Sequence, residues 1–277
     1  MTPDSSVERP GAPAAPPDAP AVQLTNVTVA YDGNRPALKG ASVTIPRGSW
    51  VAVLGPNGAG KTTFFKAILG LVSPSEGEVR VFGMEPRKAR RRIAYIPQRE
   101  AVDWRFPLRA IDVVMMGREN HIGWRLRPRA SDRQAVEQAL RQVGMWEWRH
   151  AGLDELSGGQ QQRLFIARAL AGDAPLCLLD EPFNEVDAGT RDMLLDLFAG
   201  LVRAGRTVVV SLHDLDLARR RFPQALFINK EVVAHGPTAE VFTPAVLQRT
   251  YMEQVLKWEE NGETRSVLDG HSLAPKV

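Results

Sequence analysis

Lys61, Thr62 and Thr63 close the run GPNGAGKTT (55–63), in which Gly55, Pro56, Asn57, Gly58, Ala59, Gly60, Lys61, Thr62 and Thr63 have the order of a phosphate-binding P-loop. Gly58 and Gly60 let the backbone fold so that successive N–H groups point inward at phosphate oxygens. A lysine at 61 can reach β- and γ-phosphates, and the Thr62 hydroxyl can ligate Mg²⁺. A second run, LCLLDEP (176–182), ends an apolar segment on two carboxylates. Asp180 suits the Mg²⁺ shell, and Glu181 suits polarising an attacking water. Alone, an Asp-Glu pair after a strand is an ordinary loop start; alongside a P-loop it becomes a hydrolytic pair. The third run, LSGGQQQR (156–163), sets Ser157, Gly158, Gly159 and Gln160 at a helix start. That placement caps a helix or presents N–H donors to an anion. Two anion-binding helix starts in one chain can hold two phosphate groups, or complete a site on another copy.

These residues need a frame. WVAVL (50–54), EVRVF (78–82), RIAYI (92–96), LCLLD (176–180) and TVVVSL (207–212) are short, β-branched or apolar, and bounded by turn residues. Several are apolar throughout, as strands of a parallel sheet covered on both faces are. In such a sheet the carboxyl ends of the strands hold the ligand, which puts Asp180 and Glu181 beside the P-loop. Helical patterns fill the gaps, one from Thr62 to Leu69 and another around Met193, Leu194, Leu197, Leu201 and Val202. The expected fold class is α/β with a mostly parallel sheet and flanking helices. No internal repeat is visible. Residues 1–20, rich in Pro and Ala, are expected to be a disordered tail, 21–261 a single domain, and 262–277 a loose polar tail.

Composition narrows the function classes. The 277 residues are 44% hydrophobic and 24% charged, with a formal net charge of +3. No apolar run approaches the ~18 residues that cross a bilayer. The N-terminal stretch lacks the apolar core of a secretory signal. The single cysteine, Cys177, excludes a disulfide framework and a cysteine zinc site.

In order, GPNGAGKTT, Gln98, LSGGQ, LLDEP, Asp187 and His213 in SLHDL resemble the ATP-binding subunit of an ABC transporter, from about Val22 to Trp258. The resemblance implies a P-loop NTPase core with an N-terminal antiparallel β subdomain and a helical insert at about 100–170. It implies ATP and Mg²⁺ as ligands. It also implies a homodimer in which Ser157 and Gly159 of one subunit face the γ-phosphate held by Lys61 of the other. By the same resemblance Tyr31 stacks on adenine, and Gln98 senses Mg²⁺ and the nucleophilic water. His213 contacts the γ-phosphate, and Asp187 signals between the two ATP sites. Glu185 departs from the pattern, replacing a small residue with a negative charge near the subunit interface.

The stretch AVDWRFP (101–107) mixes charge, aromatics and proline as an exposed loop meeting something apolar does. Within the resemblance, Val102, Trp104, Phe106 and Pro107 suit a groove for a short helix of an integral membrane permease subunit. AVDWRFP, DVVMMGR, HIGW and GPTAEVFTPAVLQRTY are similar to the ATP-binding subunits of bacterial zinc, manganese and iron importers. The implied place is the cytoplasmic face of the membrane, with an extracytoplasmic metal-binding protein as an indirect partner. A related ATPase for a metal chelate is the nearest alternative. The basic run RKARRR (87–92) raises a second alternative, an ATPase acting on nucleic acid or ribosomes. Such proteins carry a coiled coil, zinc modules or two cassettes, which this chain lacks, so no nucleic-acid partner is expected.

Overall fold

The computed structural model describes residues 18–31, 36–98, 107–123, 127–184 and 186–251, and the backbone of 255–260, 263–268 and 271–272. The chain opens with β1 (Val22–Ala30), β2 (Pro36–Ile45), β3 (Trp50–Leu54), α1 (Lys61–Ile68) and β4 (Glu76–Val81). A short α2 (Pro86–Ala89) leads into β5 (Ile93–Ile96). Helices α3 (Ala110–Met116), α4 (Glu119–Ile122), α5 (Ala130–Gln142) and α6 (Gly158–Ala171) follow. Next come β6 (Leu176–Asp180), α7 (Ala188–Arg203), β7 (Thr207–Leu212), α8 (Leu215–Arg221), β8 (Gln224–Asn229) and β9 (Glu231–Pro237). The order ends with α9 (Thr238–Val241), α10 (Pro244–Tyr251), β10 (Val255–Glu260), β11 (Glu263–Leu268) and β12 (His271–Ser272).

The main sheet has the order β5-β6-β7-β3-β8-β9. It is parallel from β5 to β8, with β9 antiparallel at one edge. Every residue of β3, β6 and β7 is buried, because both faces are covered. Alternate side chains therefore feed two separate cores. Trp50, Ala52 and Leu54 join Val208, Val210 and the insert helices on one face. Val51, Val53 and Val209 join Phe64, Phe65 and Ile68 of α1 on the other. That second core is closed by the antiparallel sheet β2-β1-β4. The EVRVF segment belongs there as β4, paired with β1, and its first three residues are exposed.

The described part of the expected 100–170 insert is helical. Val113 and Val114 of α3, Val136 and Leu140 of α5, and Leu164 of α6 pack into one core. Arg118 and Asp132 form a buried ion pair at 3.0 Å, and Arg118 also donates to the Ala171 carbonyl at the end of α6. Asp132 accepts the Arg129 backbone N–H at 2.9 Å, so one carboxylate starts α5 and ties it to α6.

Near the C-terminus the backbone of β11 pairs antiparallel with β10 from Val255↔Leu268 to Glu260↔Glu263, and with β12. Of the expected N-terminal tail, residues 1–17 lie outside the described residues.

Candidate nucleotide-hydrolysis site

The P-loop runs from the end of β3 to the start of α1 and depends on backbone that only glycine adopts easily. Gly60 has φ 100°, and a Cβ there would meet the Ala37 carbonyl oxygen at 2.5 Å. Lys61 folds back over the loop, its Nζ donating to the Gly55 carbonyl at 2.7 Å and the Pro56 carbonyl at 3.2 Å. Those carbonyls hold an ammonium where a phosphate would otherwise draw it. Burial lowers the Lys61 pKa, and the nearby Glu181 and Asp180 carboxylates oppose that shift. Tyr31 is exposed beside the loop, with its Oη 3.4 Å from Thr63 Oγ1.

Parallel register brings the acidic pair to the same place. Asp180, at the end of β6, pairs with Ser211 of β7. Its Oδ1 accepts the Ser211 hydroxyl at 2.6 Å and its Oδ2 the Thr62 hydroxyl at 3.0 Å. Burial raises the Asp180 pKa, and those two hydroxyls work against it. Glu181 follows with φ 52°, its N–H donating to Ser211 Oγ at 2.9 Å. Its Oε2 accepts from Gln98 Nε2 at 3.2 Å and from Asn184 Nδ2 at 2.9 Å, while Oε1 contacts His213 Nε2. Burial alone would raise the Glu181 pKa, but His213, Asn184 and Lys61 outweigh it and hold the carboxyl below its ordinary value.

Pro56 to Thr63 of the P-loop line an open cleft of about 480 Å³ with Ala37, Gln98, Glu181, Asn184 and His213. The Thr62 hydroxyl, the Asp180 carboxylate and the Gln98 amide oxygen are hard donors of the kind Mg²⁺ takes. No group of three or more His, Cys, Asp or Glu able to hold a metal ion by itself exists among the described residues. One carboxylate with one hydroxyl fits an ion that completes its shell with phosphates and water.

The LSGGQ residues sit elsewhere. Ser157 caps α6: its hydroxyl accepts the Gln160 N–H at 3.4 Å, and Gln160 Oε1 accepts the Ser157 N–H at 2.8 Å. Asp187 caps α7, accepting the Thr190 N–H at 2.9 Å and its hydroxyl at 2.6 Å. Ser157, Gly158, Gly159, Gln160, Asp187, Arg163, Val186 and Thr190 line a second cleft of about 330 Å³. The two clefts share no lining residue. Sequence reasoning passed over Asn184 and Ser211. Asn184 stands three residues after Glu181 in a turn, and Ser211 is the one polar residue in the interior of TVVVSL. Val102, Trp104, Phe106 and Glu185 lie outside the described residues, and Pro107 is exposed.

The profile of the ABC transporter family matches residues 38–184. A manganese transport system ATP-binding protein of Halalkalibacterium halodurans is 44% identical over 248 residues, 90% of this chain and 98% of that protein. A zinc transport system ATP-binding protein of Treponema pallidum is 46% identical over 231 residues, 83% of this chain and 86% of that one. Among solved structures, a dimeric post-hydrolysis state of an ATP-binding cassette bound to ADP and Pi superposes with a TM-score of 0.70. That match is 30% identical and covers 78% of this chain and 98% of the other. A P-loop whose threonine bonds the Asp180 carboxylate at the end of β6, a capped LSGGQ helix and these relatives converge: the chain belongs to the ABC transporter family, among its ATP-binding subunits.

Proposed function

We propose that this chain hydrolyses ATP to power import of a transition-metal ion, zinc, manganese or iron, working at the cytoplasmic face of a membrane as a homodimer. Supporting the cargo are the manganese and zinc transport systems named for its relatives at 44% and 46% identity. The observation that carries the chemistry is the restraint of Glu181. Its carboxylate is gripped from three sides, by Gln98, Asn184 and His213, in the cleft that holds Lys61 and Thr62.

The roles follow from position. Gly55 to Gly60 turn backbone N–H groups toward the phosphates, and Lys61 exchanges its two carbonyl partners for the β- and γ-phosphate oxygens. Thr62, Asp180 and Gln98 hold Mg²⁺, which neutralises phosphate charge when bound. Glu181 accepts a proton from the attacking water. His213 stays beside both that carboxylate and the terminal phosphate. Tyr31 stacks on the adenine. Since the LSGGQ cleft shares nothing with the P-loop cleft, Ser157, Gly158, Gly159 and Gln160 meet the γ-phosphate held by the partner protomer, with Asp187 at the seam. Closure moves the helical insert relative to the core. Val102, Trp104 and Phe106 pass that motion to the permease subunits, which receive the metal from an extracytoplasmic capture protein.

The test is Glu181→Gln, which keeps the shape of the side chain and removes its basicity. ATP binding should persist with affinity close to that of the parent, while turnover falls by about a hundredfold or more and nucleotide-loaded dimers accumulate. Both are read by steady-state ATPase and size-exclusion chromatography with Mg²⁺-ATP. Undiminished turnover removes Glu181 as the base.

A further inference from the structure

β7 reads TVVVSL, and all six residues are buried. A hydroxyl inside such a strand is unfavourable unless bonded, and Ser211, with no exposed surface, is bonded in both directions. It donates to Asp180 Oδ1 at 2.6 Å and accepts the Glu181 N–H at 2.9 Å. We propose that Ser211 is a positioning residue for the hydrolytic centre, aligning the Mg²⁺-holding carboxylate and anchoring the backbone of the base through one hydroxyl. The inference rests on the Mg²⁺-ATP reading of the cleft.

Two features set this apart from ordinary packing. First, Ser211 occupies one carboxylate oxygen of Asp180, which leaves Oδ2, the oxygen that also meets Thr62, as the one facing the P-loop. Without the serine, Oδ1 loses its 2.6 Å donor, and the carboxyl, left to Thr62 and Tyr95, can turn to seek another. Second, the residue after Asp180 holds a left-handed φ of 52°, which a non-glycine residue keeps only when its surroundings impose it. The Ser211 bond to the Glu181 N–H is one such restraint, made at the backbone rather than at the side chain. Because Ser211 lies two residues before His213, which directly follows β7, that strand and its end hold the carboxylate, the base and the histidine together.

The experiment is a Mg²⁺ titration of the binding of a fluorescent trinitrophenyl-ATP probe to the full-length chain, in a Glu181→Gln background that prevents turnover. Ser211→Ala should raise the half-saturating Mg²⁺ concentration about tenfold, as loss of a partner to a metal-holding carboxylate does. Its affinity for the probe in EDTA should stay unchanged. Ser211→Cys keeps the buried volume and a weak S–H donor, so its shift should lie between parent and alanine, and it carries the comparison if the alanine protein does not fold. A Mg²⁺ midpoint within about twofold of the parent in the folded variant overturns the proposal. An equal loss of probe affinity in EDTA also overturns it, since that would mark general damage to the cleft. If the Glu181→Gln parent itself binds no probe with Mg²⁺, the ATPase reading falls instead.

Discussion

Glu181 occupies a left-handed backbone conformation that costs on the order of 1–3 kcal/mol for a residue with a side chain. The reward is direction: the strand ends at Asp180, and the reversal turns the next carboxylate into the cleft where Gln98, Asn184 and His213 meet it. Of these three, Asn184 is exposed and contributes a single amide donor at 2.9 Å. Asn184→Ala should lower kcat by about threefold to tenfold at neutral pH, with KM for ATP little changed. The pH profile gives the sharper readout. A carboxyl depressed in the folded state adds stability above its unfolded pKa and forfeits it as pH falls through the folded value. Removing one of the groups that depress Glu181 leaves burial less opposed, so the folded pKa rises. The acid limb of kcat should therefore move to higher pH in Asn184→Ala. An acid limb that stays put would mean that Asn184 does not act through that carboxyl.

At the scale of elements, what the sequence made legible was the part in which local pattern and tertiary role coincide. WVAVL, LCLLD and TVVVSL read as buried parallel strands because every residue is apolar or satisfied at its strand end, and β3, β6 and β7 lie within those spans. The P-loop and the acidic pair were legible for the same reason, since each is a contiguous run. Asn184 and Ser211 were not, because their role comes from the lateral register of β6 with β7 and from a turn, neither of which a run of letters displays. EVRVF carried a strand pattern without saying which sheet it joins, and its exposed Glu78, with Glu76 just ahead of it, was the overlooked sign of a one-sided antiparallel strand. The helical insert hides another lateral contact, the buried pair of Arg118 with Asp132. Asp132→Asn keeps the shape of the α5 cap but strands the Arg118 guanidinium without its counter-charge. That should cost about 3 kcal/mol in urea-induced unfolding. ATP affinity should hold, because neither residue lines the P-loop cleft. A variant as stable as its parent would show that the insert does not depend on the pair.

For the whole molecule, the decisive geometry is that one protomer carries two clefts lined by separate residues. Lys61 lies in a cleft lined by the segments that follow β3, β6 and β7, while Ser157 and Gly159 line the other at the start of α6. A lysine site and a serine-glycine site that never meet within a chain can act on one phosphate only across a two-fold interface, where each surface is used twice. This predicts complementation between two inactive proteins. Lys61→Ala removes the phosphate lysine from both sites of a homodimer, and Gly159→Asp places a negative charge in both LSGGQ clefts. Each variant alone should have almost no ATPase activity. When the two are co-expressed, the mixed dimer joins the intact Lys61 of one protomer to the intact Ser157-Gly159 turn of the other. With random pairing, half the dimers are mixed and each has one whole site, so about a quarter of parental ATPase activity should return. The mixed species can be isolated with two different affinity tags and assayed directly. If it is as inactive as its components, the two clefts do not share a nucleotide, and the LSGGQ helix serves this protein in some way other than hydrolysis.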